Sequence, residues 1–340
     1  MPRFAANLSM LFTEHPFLDR FERAAQAGFK AVEFLFPYAY PAEDIRQRLD
    51  ANGLTLVLHN LPAGDWDAGE RGIACHPDRV SEFRGGVAQA IVYAKALGVG
   101  QLNCLAGRAP PDVADEVLRQ TFVENLRFAA GALKKSSLRL LIEPINTFDI
   151  PGFYLNRTAQ AVSILDEVGA DNAFVQYDIY HAQRMEGELA ATVQKYLPRI
   201  GHIQLADNPG RNEPGSGEIN YPFLFAHLDR IGYDGWIGCE YKPATTTEAG
   251  LGWRQRLARY STQTRNPPHD FPSPEHRLHR PRHHGRAHGR STDQGRPPAF
   301  CLHTRQDARH DCNEQRDPMP QRPGGRRARR RHHPDGSRHA

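Results

Sequence analysis

Four side chains carrying oxygen recur at the same place in four apolar runs. Glu143 follows Leu138-Arg139-Leu140-Leu141-Ile142, and Asp178 closes Ala173-Phe174-Val175-Gln176-Tyr177. Gln204 ends Ile200-Gly201-His202-Ile203, and Glu240 follows Gly235-Trp236-Ile237-Gly238-Cys239. Short apolar runs of this kind read as buried parallel strands, and Pro144 and Pro243 stand where two of the ladders must stop. Three carboxylates and one amide oxygen are hard donors, which suit Mg²⁺ or Mn²⁺ better than zinc, a metal that favours His and Cys. Carboxylates facing one another repel and raise each other's pKa values unless a cation sits among them. Any one of the four alone reads more simply as a loop residue beyond a strand. Four in register on consecutive strands point to a metal site.

The elements that must bring them together follow in chain order. Strand-like runs cover 4–8, 31–35, 54–60, 98–104, 138–143, 173–178, 200–204 and 235–240. Helical spacing covers 16–28, 41–52, 77–97, 111–135, 157–168, 187–197, 221–231 and 246–259, with Gly28 and Asn52-Gly53 where C-terminal caps are expected. Strands alternating with helices imply parallel pairing through right-handed crossovers. Eight such pairs in about 260 residues have the size of an α/β protein of the (β/α)8 TIM barrel class, which gathers its chemistry at the C-terminal ends of the strands. A doubly wound open sheet would not close those four ends into a ring, and no Gly-x-Gly-x-x-Gly turn follows the first strand.

Charge divides the chain in two. Residues 261–340 hold 17 Arg, no Lys and 8 acidic residues, whereas residues 1–260 hold 26 basic and 31 acidic ones. The basic balance therefore belongs to the tail, and the mildly acidic 1–260 domain gives no reason to expect nucleic acid. The tail contains no Ile, Val, Tyr or Trp and is dense in Arg, His, Pro and Gly. Such a stretch buries too little apolar surface to offset its ordering entropy, so disorder is expected over 261–340. A basic arm for nucleic acid is the functional alternative for it; Arg/His/Pro-rich text without Lys is also what an out-of-frame reading of a GC-rich gene produces. Five cysteines without paired spacing suggest a reducing, cytoplasmic setting. Neither an export signal nor an apolar stretch of 18 residues is visible, so no membrane partner is expected.

At this point the motifs carry a resemblance. Leu141-Ile142-Glu143-Pro144-Ile145-Asn146, Tyr177-Asp178-Ile179-Tyr180-His181-Ala182-Gln183, Gly201-His202-Ile203-Gln204-Leu205-Ala206-Asp207, the loop 210–221 and Gly238-Cys239-Glu240-Tyr241-Lys242-Pro243 resemble the hydroxypyruvate isomerase family of xylose-isomerase-like barrels. The resemblance runs from residue 1 to about 260. It implies a (β/α)8 fold, a divalent cation on Glu143, Asp178, Gln204 and Glu240, and Glu143 and Glu240 as proton donor and acceptor. In the wider superfamily the ligand on strand seven is often His; Gln204 matches this narrower family.

His181, three residues after Asp178, and Arg211, seven after Gln204, fall where related sugar epimerases place substrate-binding residues. A free guanidinium there would suit a substrate carboxylate. His59, at the end of strand three, is a third substrate-binding candidate, with a place in the core as the equal alternative. His202 is expected to point away from Gln204 and to be structural. The implied activity is an aldose–ketose type isomerisation of a small hydroxy-oxo acid, hydroxypyruvate to 2-hydroxy-3-oxopropanoate, through an enediolate whose charge a cation stabilises. The neighbouring readings are a 2-oxotetronate isomerase or a ketose 3-epimerase. From other classes come a metal-dependent endonuclease of the same superfamily and a nucleic-acid-binding protein acting through the tail. A homo-oligomer is compatible with all of them.

Overall fold

The computed structural model describes residues 2–256. Among these, β1 (Arg3–Asn7), β2 (Ala31–Glu33), β3 (Thr55–Asn60), β4 (Gln101–Cys104), β5 (Arg139–Ile142), β6 (Ala173–Asp178), β7 (Ile200–Leu205) and β8 (Trp236–Cys239) pair in parallel and in chain order. β8 returns to pair with β1, which closes the barrel. The helices are α1 (Arg20–Gln26), α2 (Ala42–Ala51), α3 (Val80–Leu97), α4 (Asp115–Lys134), α5 (Thr158–Val168), α6 (Ile179–Met185), α7 (Leu189–Tyr196), α8 (Tyr221–Ile231) and α9 (Thr247–Gly250). The TIM barrel expected from the sequence is the fold observed.

Helix α4 shows why the outer layer forms. Leu118, Phe122, Leu126, Ala129 and Leu133 recur at helical spacing and are buried, while the charged residues between them face out. Each large apolar side chain so buried contributes about 1.5–3 kcal/mol. Helix α3 stops at Gly98, whose φ of 73° is left-handed and carries no Cβ penalty.

Inside the barrel, period-two alternation sorts the side chains into levels. Ala5, Ala31, Val57, Leu58 and Leu141, with Phe174 and Trp236 against them, form an apolar floor. Two residues further along four of the same strands stand Asn7, Glu33, Asn60 and Glu143, and Gln176 follows Phe174 in the same way. All five are buried. On these five strands the barrel therefore changes from apolar to polar within one step, toward the ends where the chemistry was expected.

The sequence does not foresee α6. At seven residues it is too short to show a helical period, and Asp178 starts it by accepting hydrogen bonds from the backbone N–H groups of Tyr180 (2.7 Å) and His181 (3.1 Å). The helix expected over 246–259 begins as α9 and is helical again at 252–256. Its remainder, the boundary at 260 and the tail 261–340 lie outside the described residues. No helix among the described residues is long and apolar enough to cross a membrane.

Candidate active site

Glu143 lies one residue beyond β5, Asp178 is the last residue of β6, and Glu240 lies one residue beyond β8. The barrel brings all three together with His181, so that one ligand atom from each falls within 4.8 Å of the others. Gln204 on β7 pairs in register with Asp178 on one side and Gly238 on the other, so it fills the arc between Asp178 and Glu240. A cavity of about 430 Å³ opens onto this group, with Leu35, Trp66, Leu105, Ile145 and Ile150 on its apolar walls. Glu143, His181, Arg211 and Glu240 also face it.

The electrostatics are those of carboxylates held close together out of water. Burial and the Asp178 charge push Glu143 up to about 8. Burial raises Glu240 well above the usual carboxylate range, with Arg211 opposing the shift and Glu143 and Asp178 adding to it. Asp178 spends Oδ1 on capping α6, while its buried Oδ2 has no hydrogen-bond partner. Repelling carboxylates and a buried oxygen without a donor make a site that a divalent cation would complete.

His181 enters this group as a donor. Its Nδ1 accepts from the Asn146 side-chain amide at 2.6 Å and from the Asn146 backbone N–H at 3.5 Å. The orientation of that amide is set by Asp149, whose backbone N–H donates to Asn146 Oδ1 and whose carboxylate accepts from Nδ2. Burial lowers the His181 pKa to about 3, so the ring is neutral and its single proton sits on Nε2. Nε2 lies 3.9 Å from both Glu143 Oε1 and Asp178 Oδ2. An N–H aimed between carboxylates is placed to bind an oxygen.

Arg211 reaches the cavity but is not free, contrary to the expectation of an unpaired guanidinium. Its Nη2 donates to Glu240 Oε2 at 2.9 Å, its Nη1 lies 3.8 Å from Asp149, and it lies over the Tyr180 ring. Burial works against its charge, but Glu240, Asp178, Glu143 and Asp149 outweigh that and raise its pKa. The loop that carries it is organised by Asp207, whose carboxylate accepts from the backbone N–H groups of Asn208, Gly215 and Ile219. Lys242 N donates to Arg211 O at 2.8 Å and ties that loop to the chain beyond β8.

Two expectations are corrected. His59 does not join the group: Asn60 pairs in register with Asn103, whose amide donates to Glu143, so alternation turns His59 to the opposite face. There it stacks on Phe34, meets Tyr38 edge-on and is wholly buried. His202 does not point away from Gln204. Residues two apart on a strand share a face, and both side chains bond to Glu33, His202 through Nε2 and Gln204 through its amide nitrogen, each at 2.7 Å. The sequence reading also passes over Asn7, Glu33, Asn103 and Gln176, which stand beneath the carboxylates. The available signal was a charged residue inside an apolar run, Val32-Glu33-Phe34.

The xylose isomerase-like TIM barrel family matches residues 21–257. The chain belongs to that family, and within it to the hydroxypyruvate isomerase family. It is 60% identical over 253 residues to a hydroxypyruvate isomerase of Escherichia coli K12, covering 74% of this chain and 98% of the relative. It is 53% identical over 253 residues to a 2-oxo-tetronate isomerase of Cupriavidus necator, covering 74% and 97%. A crystal structure from Brucella melitensis, described as an AP endonuclease of family 2, superposes with a TM-score of 0.74 at 46% identity, over 75% of this chain and 99% of that one. The chain is an enzyme, an isomerase of the aldose–ketose type.

Proposed function

We propose that this enzyme interconverts hydroxypyruvate and 2-hydroxy-3-oxopropanoate, with Glu143 and Glu240 moving the proton. The observation that carries the reading is the meeting of Glu143, Asp178, His181 and Glu240 at one buried point on the cavity floor. The 60% identical hydroxypyruvate isomerase, matched over 98% of its length, supports the substrate.

The reaction takes a proton from C3 of hydroxypyruvate and returns one to C2, while the hydroxyl proton passes from O3 to O2. The intermediate is an enediolate. Glu143 and Glu240 oxygens lie within 4.8 Å of each other, close enough for one carboxylate to accept the carbon-bound proton and the other to donate. His181 Nε2–H donates to the substrate oxygen on which charge develops, and burial keeps that ring neutral. Arg211 receives the substrate carboxylate while anchoring Glu240. The walls formed by Trp66, Leu105 and Ile145 exclude water from the enediolate.

The donor set fits a divalent cation, Mg²⁺ or Mn²⁺, held by Glu143, Asp178, Gln204 and Glu240. When bound, it would act as a Lewis acid that stabilises negative charge on the substrate oxygens.

A 2-oxo-tetronate isomerase is the second reading, favoured by the 53% identical relative of almost equal length. A nuclease is not favoured, because the described residues hold one metal-binding group with a single His and no second group beside it. Hydroxypyruvate, 2-oxotetronates and ketohexoses assayed side by side with and without Mg²⁺ or Mn²⁺ decide the matter. Faster turnover of a neutral ketohexose than of either acid would overturn the acid reading.

A further inference from the structure

Beneath the carboxylates a run of hydrogen bonds leads from Glu240 through Asn7, Glu33 and Gln204 to Gln176. Asn7 Nδ2 donates to Glu240 Oε1 (3.3 Å) and to Glu33 Oε1 (3.0 Å). Gln204 Nε2 donates to the same Glu33 oxygen at 2.7 Å. Gln176 Nε2 donates to Gln204 Oε1 at 2.6 Å. The centre of the run is Glu33, a wholly buried carboxylate whose other oxygen meets His202 Nε2 at 2.7 Å. We propose that Glu33 is a positioning residue, which orients Asn7 beneath Glu240 and turns the Gln204 oxygen toward the cation site. The proposal rests on the metal-site reading above.

The reason is the geometry around Glu33, whose carboxyl oxygens accept from Asn7 Nδ2 and Gln204 Nε2 on one side and meet His202 Nε2 on the other. An amide beside it must present its NH₂, so the carbonyl oxygen faces the other way. Glu33 thereby removes the two-fold choice open to the side-chain amide of Gln204, and for Asn7 it reinforces the Ser9 backbone N–H that donates to Oδ1 at 3.0 Å. Without Glu33, Gln204 could present its nitrogen to the cation.

The neighbouring strand is built around this carboxylate. A Cβ added at Gly238 would fall on the carboxyl group of Glu33. Gly238 is the β8 residue in register with Gln204, so the gap it leaves lies at the level of the site. A glycine weakens a strand interior, and here its empty space is occupied by one buried carboxylate. Glu33 itself does not line the cavity and is not placed to touch substrate.

The test measures Mn²⁺ binding by electron paramagnetic resonance alongside kcat and KM for hydroxypyruvate, on wild type, Glu33→Ala, Gly238→Ala and the double variant. Folding is followed by circular dichroism. Partners that orient metal ligands typically account for about 10–100-fold in affinity or activity. Glu33→Ala and Gly238→Ala are each expected to weaken Mn²⁺ at least about tenfold and to lower kcat more than they raise KM. The double variant is expected to be no worse than Glu33→Ala, since the new methyl enters vacated space. A folded Glu33→Ala with wild-type Mn²⁺ affinity and kcat overturns the proposal, as does a fully additive double variant. Should Glu33→Ala not fold, Glu33→Gln decides: a wild-type Mn²⁺ dissociation constant overturns the proposal, and a weakened one supports it. Wild-type protein that binds Mn²⁺ but turns over no hydroxy-oxo acid sinks the substrate reading alone, because the metal titration still decides Glu33. Wild-type protein that binds no divalent cation overturns both.

Discussion

Replacing Arg211 by Met keeps an unbranched side chain and removes the guanidinium. The wild-type group donates to Glu240 Oε2 at 2.9 Å, from a side chain 20% exposed to one 6% exposed. The contacts with Glu240 and the Tyr180 ring are already present in the free enzyme, so kcat/KM reads the bond to the substrate carboxylate. Such a charge-assisted bond is worth roughly 1.5–3 kcal/mol, or about tenfold to over a hundredfold in kcat/KM at a tenfold change per 1.36 kcal/mol. A guanidinium that only held the substrate carboxylate would put the effect mainly in KM. The bond to Glu240 divides it, because the same substitution loosens a residue that moves the proton, so kcat should fall as well. Steady-state kinetics on hydroxypyruvate with saturating Mg²⁺ read both constants, and Arg211→Lys, which keeps the charge, should recover part of the loss. A folded Arg211→Met with kcat and KM both within about twofold of wild type, well below what one such bond is worth, would refute the assignment.

Glu143→Gln and Glu240→Gln keep size but remove a proton acceptor, and each should lower kcat by about 10²–10⁴-fold; a variant retaining half its turnover excludes that residue from proton transfer. In metal-free protein, stability should fall as pH rises from 6.5 to 8.5, because a carboxyl raised from 4.5 to about 8 is costly to ionise in the folded state. His59 and His181, lowered from 6.5 to about 4 and about 3, cost stability only as pH falls below 6.5, so they add little slope in that window. Thermal midpoints taken across it with and without Mg²⁺ check this, and a metal-free midpoint that climbs with pH contradicts the clustered carboxylates. Cutting the chain after Tyr260 should leave thermal midpoint and specific activity unchanged, since Trp253 is already buried against Phe4 and Phe225; a drop of many degrees would make residues 261–340 structural.

The ring of strands was legible because each apolar run stops at a turn and the carboxylates recur at one position along them. Glu143, Asp178 and Glu240 could be placed together from that register alone. What escaped the sequence is set by face and by flanking contacts. The strand-three residue turned toward the site is Asn60 and not His59, because the register with β2 shifts between Val32 and Glu33 and alternation counted from the strand start then fails. Helix α6 depends on a side-chain cap by Asp178, a signal that looked like a ligand and nothing more. The partner of Arg211 lies 29 positions away, and Glu33 bonds to Asn7, His202 and Gln204 across 26, 169 and 171 positions; no local pattern records such contacts.

The most direct measurement follows hydroxypyruvate by proton nuclear magnetic resonance with protein shown metal-free by elemental analysis, then with Mg²⁺ restored. If Glu143, Asp178, Gln204 and Glu240 hold a catalytic cation, the metal-free protein leaves the substrate unchanged and the restored protein produces the aldehyde signal of 2-hydroxy-3-oxopropanoate. Conversion at the full rate without metal contradicts the assignment, and so does metal-loaded protein that leaves hydroxypyruvate and the 2-oxotetronates untouched.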